Sequence, residues 1–170
     1  MKIIEALKKS KDLLRKASDI KDKVKLHCAD LDCETPFYPD QRKQVSEWVQ
    51  AYNDILKEVL HLRVSIQKTN INTMVTIELD NKFVTKSIAE WIHRRKDLAK
   101  LQEEIYVALT DRGLKDSSYK LTATSPETPV KRRIYFDPAD RDAKREVLRS
   151  EPSKIDSTLE VINAVTDLIE

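Results

Sequence analysis

Between Asp40 and Asn70 runs one apolar stripe that limits the fold more than any other feature of the chain. Val45, Trp48, Tyr52, Ile55, Val59, Leu62 and Ile66 recur every three or four residues, the spacing of one face of an α-helix. A helix this long outruns a small globule, so its stripe needs a second long helix lying along it. The partner stands just upstream. Residues 2–31 place Ile3, Leu7, Leu14, Ala17, Val24 and Leu31 on mixed three- and four-residue steps, with Lys and Asp on the other face. The intervening segment, Asp32 to Pro39, contains Pro36 and Pro39 and reads as a loop. Helix one (2–31) and helix two (40–70, with Asp40 as N-cap) therefore form a long antiparallel hairpin of coiled-coil character.

Helix two closes on Ile66-Gln67-Lys68-Thr69-Asn70-Ile71-Asn72-Thr73. Asn and Thr side chains compete with helix hydrogen bonds, so the helix is expected to end near Asn70. Met74 to Leu79 is dense in β-branched residues, Asp80-Asn81-Lys82 reads as a turn, and Phe83-Val84 as the return strand. Thr85 is then an N-cap for helix three, with Ser87 and Glu90 offering a competing capping box. Helix three spans 86–112 on Ile88, Trp91, Ile92, Leu98, Leu101, Ile105 and Ala108, and Arg112-Gly113 stops it. Residues 113–130 are polar, include Pro126 and Pro129, and read as a long mobile loop. Val130 to Phe136 reads as a short strand. Asp137-Pro138 opens a helix over 138–150, Pro152 interrupts it, and a last helix covers 152–169. The expected fold is mainly α, a single helical domain over 1–170 in which short β elements separate the helices.

Charged residues make up 35% of the chain and aromatics 6%, the balance of long solvent-facing helices. A net charge of +2 makes the chain no polycation, so no specific nucleic-acid partner is expected. No apolar run approaches the ~18–20 residues of a membrane span. The opening Met1 to Leu7 lacks the apolar core of a signal peptide, so a cytoplasmic location without membrane partners is expected. Gly113 is the only glycine. P-loops and dinucleotide fingerprints need several, where backbone approaches phosphate, so any phosphate here must be held by Arg, Lys, Asn, Thr or a helix N-terminus.

Three groups of residues invite a functional reading. Thr69, Asn70, Asn72 and Thr73 exceed what a cap requires, although a helix end and turn would also use them. His93-Arg94-Arg95-Lys96 points around more than half of helix three, so only one or two of these can face a site and the rest form a solvated face. Arg132 and Arg133 lie on the expected strand with opposite facing. An arginine turned inward among helices would want a phosphate or carboxylate. His27, Cys28, Asp30, Asp32 and Cys33 resemble metal ligands only superficially. Their spacings do not suit a four-ligand zinc site, and no metal is expected. None of His27, His61 and His93 neighbours a Ser, Cys or Asp in a recognisable nucleophile setting, so no catalytic residue is assigned.

Three segments resemble the septicolysin-like family of small helical bacterial proteins. They are Met1-Lys2 with Glu5-Ala6-Leu7; Ile66-x-x-Thr69-Asn70-x-x-Thr73, similar to the family's I-N-x-T-N-x-x-T; and Ile155-Asp156-x-x-Leu159-Glu160-x-x-Asn163, similar to its L-D-x-x-I-Q-x-x-N-W. Gln67, Glu160 and Ala164 depart from the pattern, and Pro152 falls in what should be a continuous helix. The Arg of the family's middle helix corresponds to Arg94 or Arg95. The resemblance implies a helical hairpin, a central polar element and self-association, and it implies no reaction.

The resulting expectation is a non-enzymatic, cytoplasmic, homo-oligomeric binding protein without a cofactor. Thr69, Asn70, Asn72, Thr73, Arg94, Arg95, Arg132, Arg133 and Asn163 would hold a small phosphate-bearing, nucleotide-like ligand among helices. Such a protein acts by sequestration or sensing, as a virus-encoded sponge for a signalling nucleotide would. The alternative is a structural or adaptor helical protein acting through protein–protein contacts.

Overall fold

The computed structural model describes residues 1–110 and 134–169. Arg132, Arg133, Gly113 and the expected 113–130 loop lie outside the described residues. The elements in order are α1 (Ile3–His27), α2 (Gln41–Asn72), β1 (Met74–Leu79), β2 (Lys82–Ser87), α3 (Ile88–His93), a π-helical segment (Arg94–Leu98), α4 (Ala99–Ala108) and α5 (Pro138–Val165). The fold is mainly α with one two-stranded sheet among the described residues. Two compact units share these elements. The first comprises Met1–Val75, Ser87–Ala89 and Leu159–Glu170, and the second Thr76–Lys86 and Glu90–Thr158.

The first unit is built on the α1–α2 hairpin. Ala6 and Leu13 of α1 form a buried cluster with Val59, Leu62 and Ile66 of α2, and Ile55 and Leu168 pack against it. The pairing of early α1 with late α2 makes the two helices antiparallel. Lys9 reaches Glu58 at 2.6 Å across the seam. Asp40 caps α2, its Oδ1 accepting from the Lys43 N–H at 2.9 Å, as its position predicts.

Three expectations about these helices change. The buried face of α1 is Ile3, Ala6, Ser10, Leu13 and Ala17, while Leu7 and Leu14 are exposed. Small side chains at Ala6, Ser10 and Ala17 let the two backbones approach closely, which larger leucines would prevent. Helix α1 also stops at His27, short of 31, because the Gln41 side-chain amide takes the His27 carbonyl at 2.8 Å. Finally α2 runs to Asn72, beyond Asn70. The Thr69 hydroxyl donates to the Ser65 carbonyl and the Asn72 side-chain amide to the Lys68 carbonyl, both at 2.8 Å. These side chains bond back onto the preceding turn and leave the helix ladder intact.

The C-terminus of the chain completes the first unit. Helix α5 ends at Val165, and residues 166–169 are not helical, contrary to the 152–169 expectation. Lys2 explains the stop. Its ammonium takes the Val165 carbonyl and the Asp167 carboxylate, each at 2.8 Å. A cation is favourable at the exposed carbonyls of a helix end. Lys2 and Asp167 form an antiparallel bridge, with Ile3 N–H donating to the Thr166 carbonyl at 3.1 Å and Leu168 N–H to the Met1 carbonyl at 2.8 Å.

The hairpin between α2 and α3 follows its local chemistry. Asp80 and Asn81 both adopt positive φ, 50° and 58°, the signature of a two-residue type I′ turn. Val75 and Ile77 are buried while Thr76 and Glu78 are exposed, the two-residue alternation of a half-covered strand. Thr85 is no N-cap. It lies in β2, its hydroxyl 2.7 Å from that of Thr76, and the helix opens after Ser87.

In the second unit Ile77, Trp91, Ala99, Leu148 and Ile155 are buried. Leu98, Leu101 and Ile105, expected to face the core, are 47%, 56% and 62% exposed. The π-helical segment accounts for this. It lengthens the turn by one residue, so the inward face after it falls on Ala99, with Glu103 and Tyr106 half-buried. The run ends at Ala108, before Gly113, and the Arg141 guanidinium donates to the Leu109 carbonyl just beyond it at 2.9 Å. Asp137 Oδ1 accepts from the Ala139 N–H at 2.8 Å and caps α5. Pro152 does not interrupt α5, which is continuous around it. One missing N–H leaves a single carbonyl, that of Leu148, without its helical donor. Ile134, Tyr135 and Phe136 are not in a strand; the Arg141 guanidinium lies over the Phe136 ring, 5.5 Å from its centroid.

Candidate functional site

The polar end of α2 is the first place to look for chemistry. Thr69 is fully buried and its hydroxyl is used twice. It donates to the Ser65 carbonyl and accepts from the Ile169 N–H, each at 2.8 Å. Thr69 thus ties the last residues of the chain to α2. The Thr73 N–H returns to the Thr69 carbonyl at 2.9 Å, and the Thr73 carbonyl accepts from the Ile88 N–H at 3.0 Å. Asn72 is exposed. Asn70 differs from these: its Oδ1 is shielded from solvent and has no hydrogen-bond partner among the described residues. Asn163, half-buried near the end of α5, belongs to the same unit. Among the described residues no hydrogen bond joins it to Thr69, Asn70, Asn72 or Thr73.

Arg94 and Arg95 of the expected site belong to the second unit and have carboxylate partners there. Arg94 meets Glu151 in a two-pronged pair, Nε to Oε1 at 2.5 Å and Nη2 to Oε2 at 2.8 Å. Glu151 is 3% exposed, so this is a largely desolvated ion pair. The hydrogen bond to Glu151 holds the Arg94 guanidinium pKa above its ordinary value, against a smaller opposing effect of burial. Arg95 pairs with Asp156 at 2.5 Å near the surface. The π-helical segment helps to place both arginines, since Arg94 and Arg95 are its first two residues. A carboxylate that already satisfies both prongs of Arg94 leaves little for a phosphate to take.

Sequence reasoning missed a concave region of the second unit. A cleft of about 330 Å³ is lined by Asp80, Gln102, Tyr106, Asp140, Lys144 and Leu148, among others. Its cation is matched internally. Lys144 pairs with Asp140 at 2.8 Å, which raises the Lys144 pKa, and its ammonium sits 5.7 Å from the Tyr106 ring centroid. The four-residue spacing of Asp140 and Lys144 was the available signal.

His27 packs against Phe37, Tyr38 and Trp48 at centroid distances of 5.2, 5.6 and 5.7 Å, tilted to Phe37 and Trp48 and edge-on to Tyr38. Its ring lies at the end of the hairpin where the loop joins α1 to α2. Cys28 and Cys33 are exposed free thiols. Among the described residues no group of three or more His, Cys, Asp or Glu is placed to hold a metal ion, and no helix is long and apolar enough to cross a membrane.

The remaining surface feature is a second apolar stripe on α2. Val49, Leu56, Leu60, Val64 and Ile71 are all exposed, although the inner stripe of the same helix is covered by α1. At 100° per residue the two stripes lie roughly 110° apart around the helix. Comparison of the chain with family models, with curated proteins and with solved structures finds no match, so the septicolysin-like resemblance stands on its quoted motifs alone.

Proposed function

We propose that the chain is a helical structural or adaptor protein that works through protein–protein contact. The observation that supports this most is the two-faced character of α2, whose outer apolar stripe is exposed among the described residues. Contiguous exposed apolar surface of this kind marks interaction sites. The intramolecular engagement of Thr69, Arg94 and Arg95 points the same way, because residues that hold the fold together are not spare for a ligand. The test is a photo-cross-linking amino acid at position 56, in the outer stripe, and at Glu47 on another face, in cells producing the full chain. Cross-linked product from position 56 and not from position 47 is the expected result. Monomer alone from both positions would overturn the reading.

A second reading keeps the small-ligand site. It rests on Asn70, whose buried Oδ1 lacks a donor among the described residues; an orphan acceptor is costly and calls for a water or a ligand group. A phosphate-bearing, nucleotide-like ligand would then be sequestered without turnover, with Asn72, Thr73 and Asn163 as further polar contacts. Calorimetric titration with mono-, di- and cyclic nucleotides, repeated on Asn70→Ala, tests it. Binding that is lost in the variant supports a site at Asn70. Absence of binding across the panel removes it.

A further inference from the structure

The outer stripe of α2 reads the same in both directions. Its residues in order are Val49, Asn53, Leu56, Leu60, Val64, Gln67 and Ile71, every one exposed. The steps between them run four, three, four, four, three, four. Reversed about Leu60, Val49 exchanges with Ile71, Asn53 with Gln67 and Leu56 with Val64. Regular spacing alone follows from any helix. The chemical pairing does not: branched aliphatic matches branched aliphatic at two distances from the centre, and amide matches amide between them.

From this we infer that the stripe is the contact face of an antiparallel dimer of this chain, with the two-fold axis at Leu60. The inference rests on reading the stripe as a contact face. Two-fold interfaces are isologous, so a residue that meets its counterpart must be met by it in return. Antiparallel α2 helices crossing at Leu60 set Val49 against Ile71 of the second copy and Leu56 against Val64. Asn53 and Gln67 meet as an amide pair that can hydrogen-bond within the seam, and a polar pair at such a position fixes register.

Two more features fit this occupant. The stripe spans about 33 Å at ~1.5 Å per residue. Each half repeats over eleven residues, close to the pitch of a straight helix, so two straight helices stay in contact along its whole length. No charged residue lies in the stripe. The nearest cations, Lys57 and Arg63, stand on opposite flanks about 60° either side of Leu60, and Lys57 is already paired with Asp54 at 3.0 Å.

Cysteine cross-linking reads the register directly. The full chain is used with Cys28→Ser and Cys33→Ser, since both thiols are exposed. Helix axes ~8–10 Å apart leave facing Cα atoms within disulfide reach. Leu60→Cys should link to itself under mild oxidation, faster than Glu47→Cys. Val49→Cys and Ile71→Cys should each fail to self-link alone, and a mixture of the two should give the mixed disulfide. A self-link at Val49→Cys would mean a parallel pair and overturn the proposal, as would a Leu60→Cys chain that links no faster than Glu47→Cys. A photo-cross-link from position 56 to a different protein, with no homodimer, would leave the contact reading standing and overturn the dimer.

Discussion

Removing Arg94 should damage the fold more than any other single surface-reachable change, for a reason that can be sized from the structure. Glu151 is 3% exposed and receives both prongs of the guanidinium. In Arg94→Ala the carboxylate keeps its burial and loses its partner. Breaking a buried pair from one side costs roughly 3–5 kcal/mol. Arg94 itself is 24% exposed, so water can enter its place, and the low end, about 3 kcal/mol, is the better figure. With a urea slope of ~2 kcal/mol/M the unfolding midpoint should fall by roughly 1–2 M. The double variant Arg94→Met with Glu151→Leu should recover most of this, because desolvation of both charges disappears together. Urea unfolding followed by far-UV circular dichroism on wild type, single and double variants is the assay. An Arg94→Ala midpoint indistinguishable from wild type would refute the reasoning and return Arg94 to the list of residues free to bind an anion.

Thr69→Val keeps the shape and removes both hydroxyl bonds; it should cost about 1–3 kcal/mol and speed amide exchange at Ile169, whose N–H would lose its acceptor. Leu62→Ala, at a site 4% exposed in the inner seam, should cost about 2–5 kcal/mol in thermal or urea unfolding. Asp167 carries a pH dependence: the hydrogen bond from Lys2 holds its pKa below the ordinary 3.8. A folded value below the unfolded one stabilises fully above the unfolded value, and that contribution is lost as pH falls through the folded one. Melting temperature measured on acidification below about pH 4 should therefore drop less steeply for Asp167→Asn than for wild type.

Local chemistry was the legible part of this fold. Asp40 and Asp137 announced helix starts, Asp80-Asn81 announced the hairpin, and the inner stripe of α2 announced its antiparallel partner, because each signal is complete within a few residues. What failed depended on residues far along the chain. The Thr69 cluster was read as a surplus of polar groups because the Ile169 N–H that occupies its hydroxyl comes from the other end of the sequence. Arg94 looked unpartnered for the same reason, with Glu151 lying beyond α4, in α5. Helix three was given the right inner face at Ile88 and Trp91 and the wrong one from Leu98 on, because one added residue in the π-helical segment rotates everything after it, and no residue type marks that insertion. The outer stripe of α2 was overlooked because periodicity reports that a face is apolar and does not report which of two apolar faces the chain covers.

The account turns on that outer stripe, and the mass of the protein in solution tests it most directly. Sedimentation equilibrium of the wild-type chain across the micromolar range should give a species of twice the 19.7 kDa chain mass, and Leu60→Lys should return it to the chain mass while keeping its helical circular dichroism. A wild-type chain that stays at 19.7 kDa throughout, or a Leu60→Lys chain that still doubles, would contradict it.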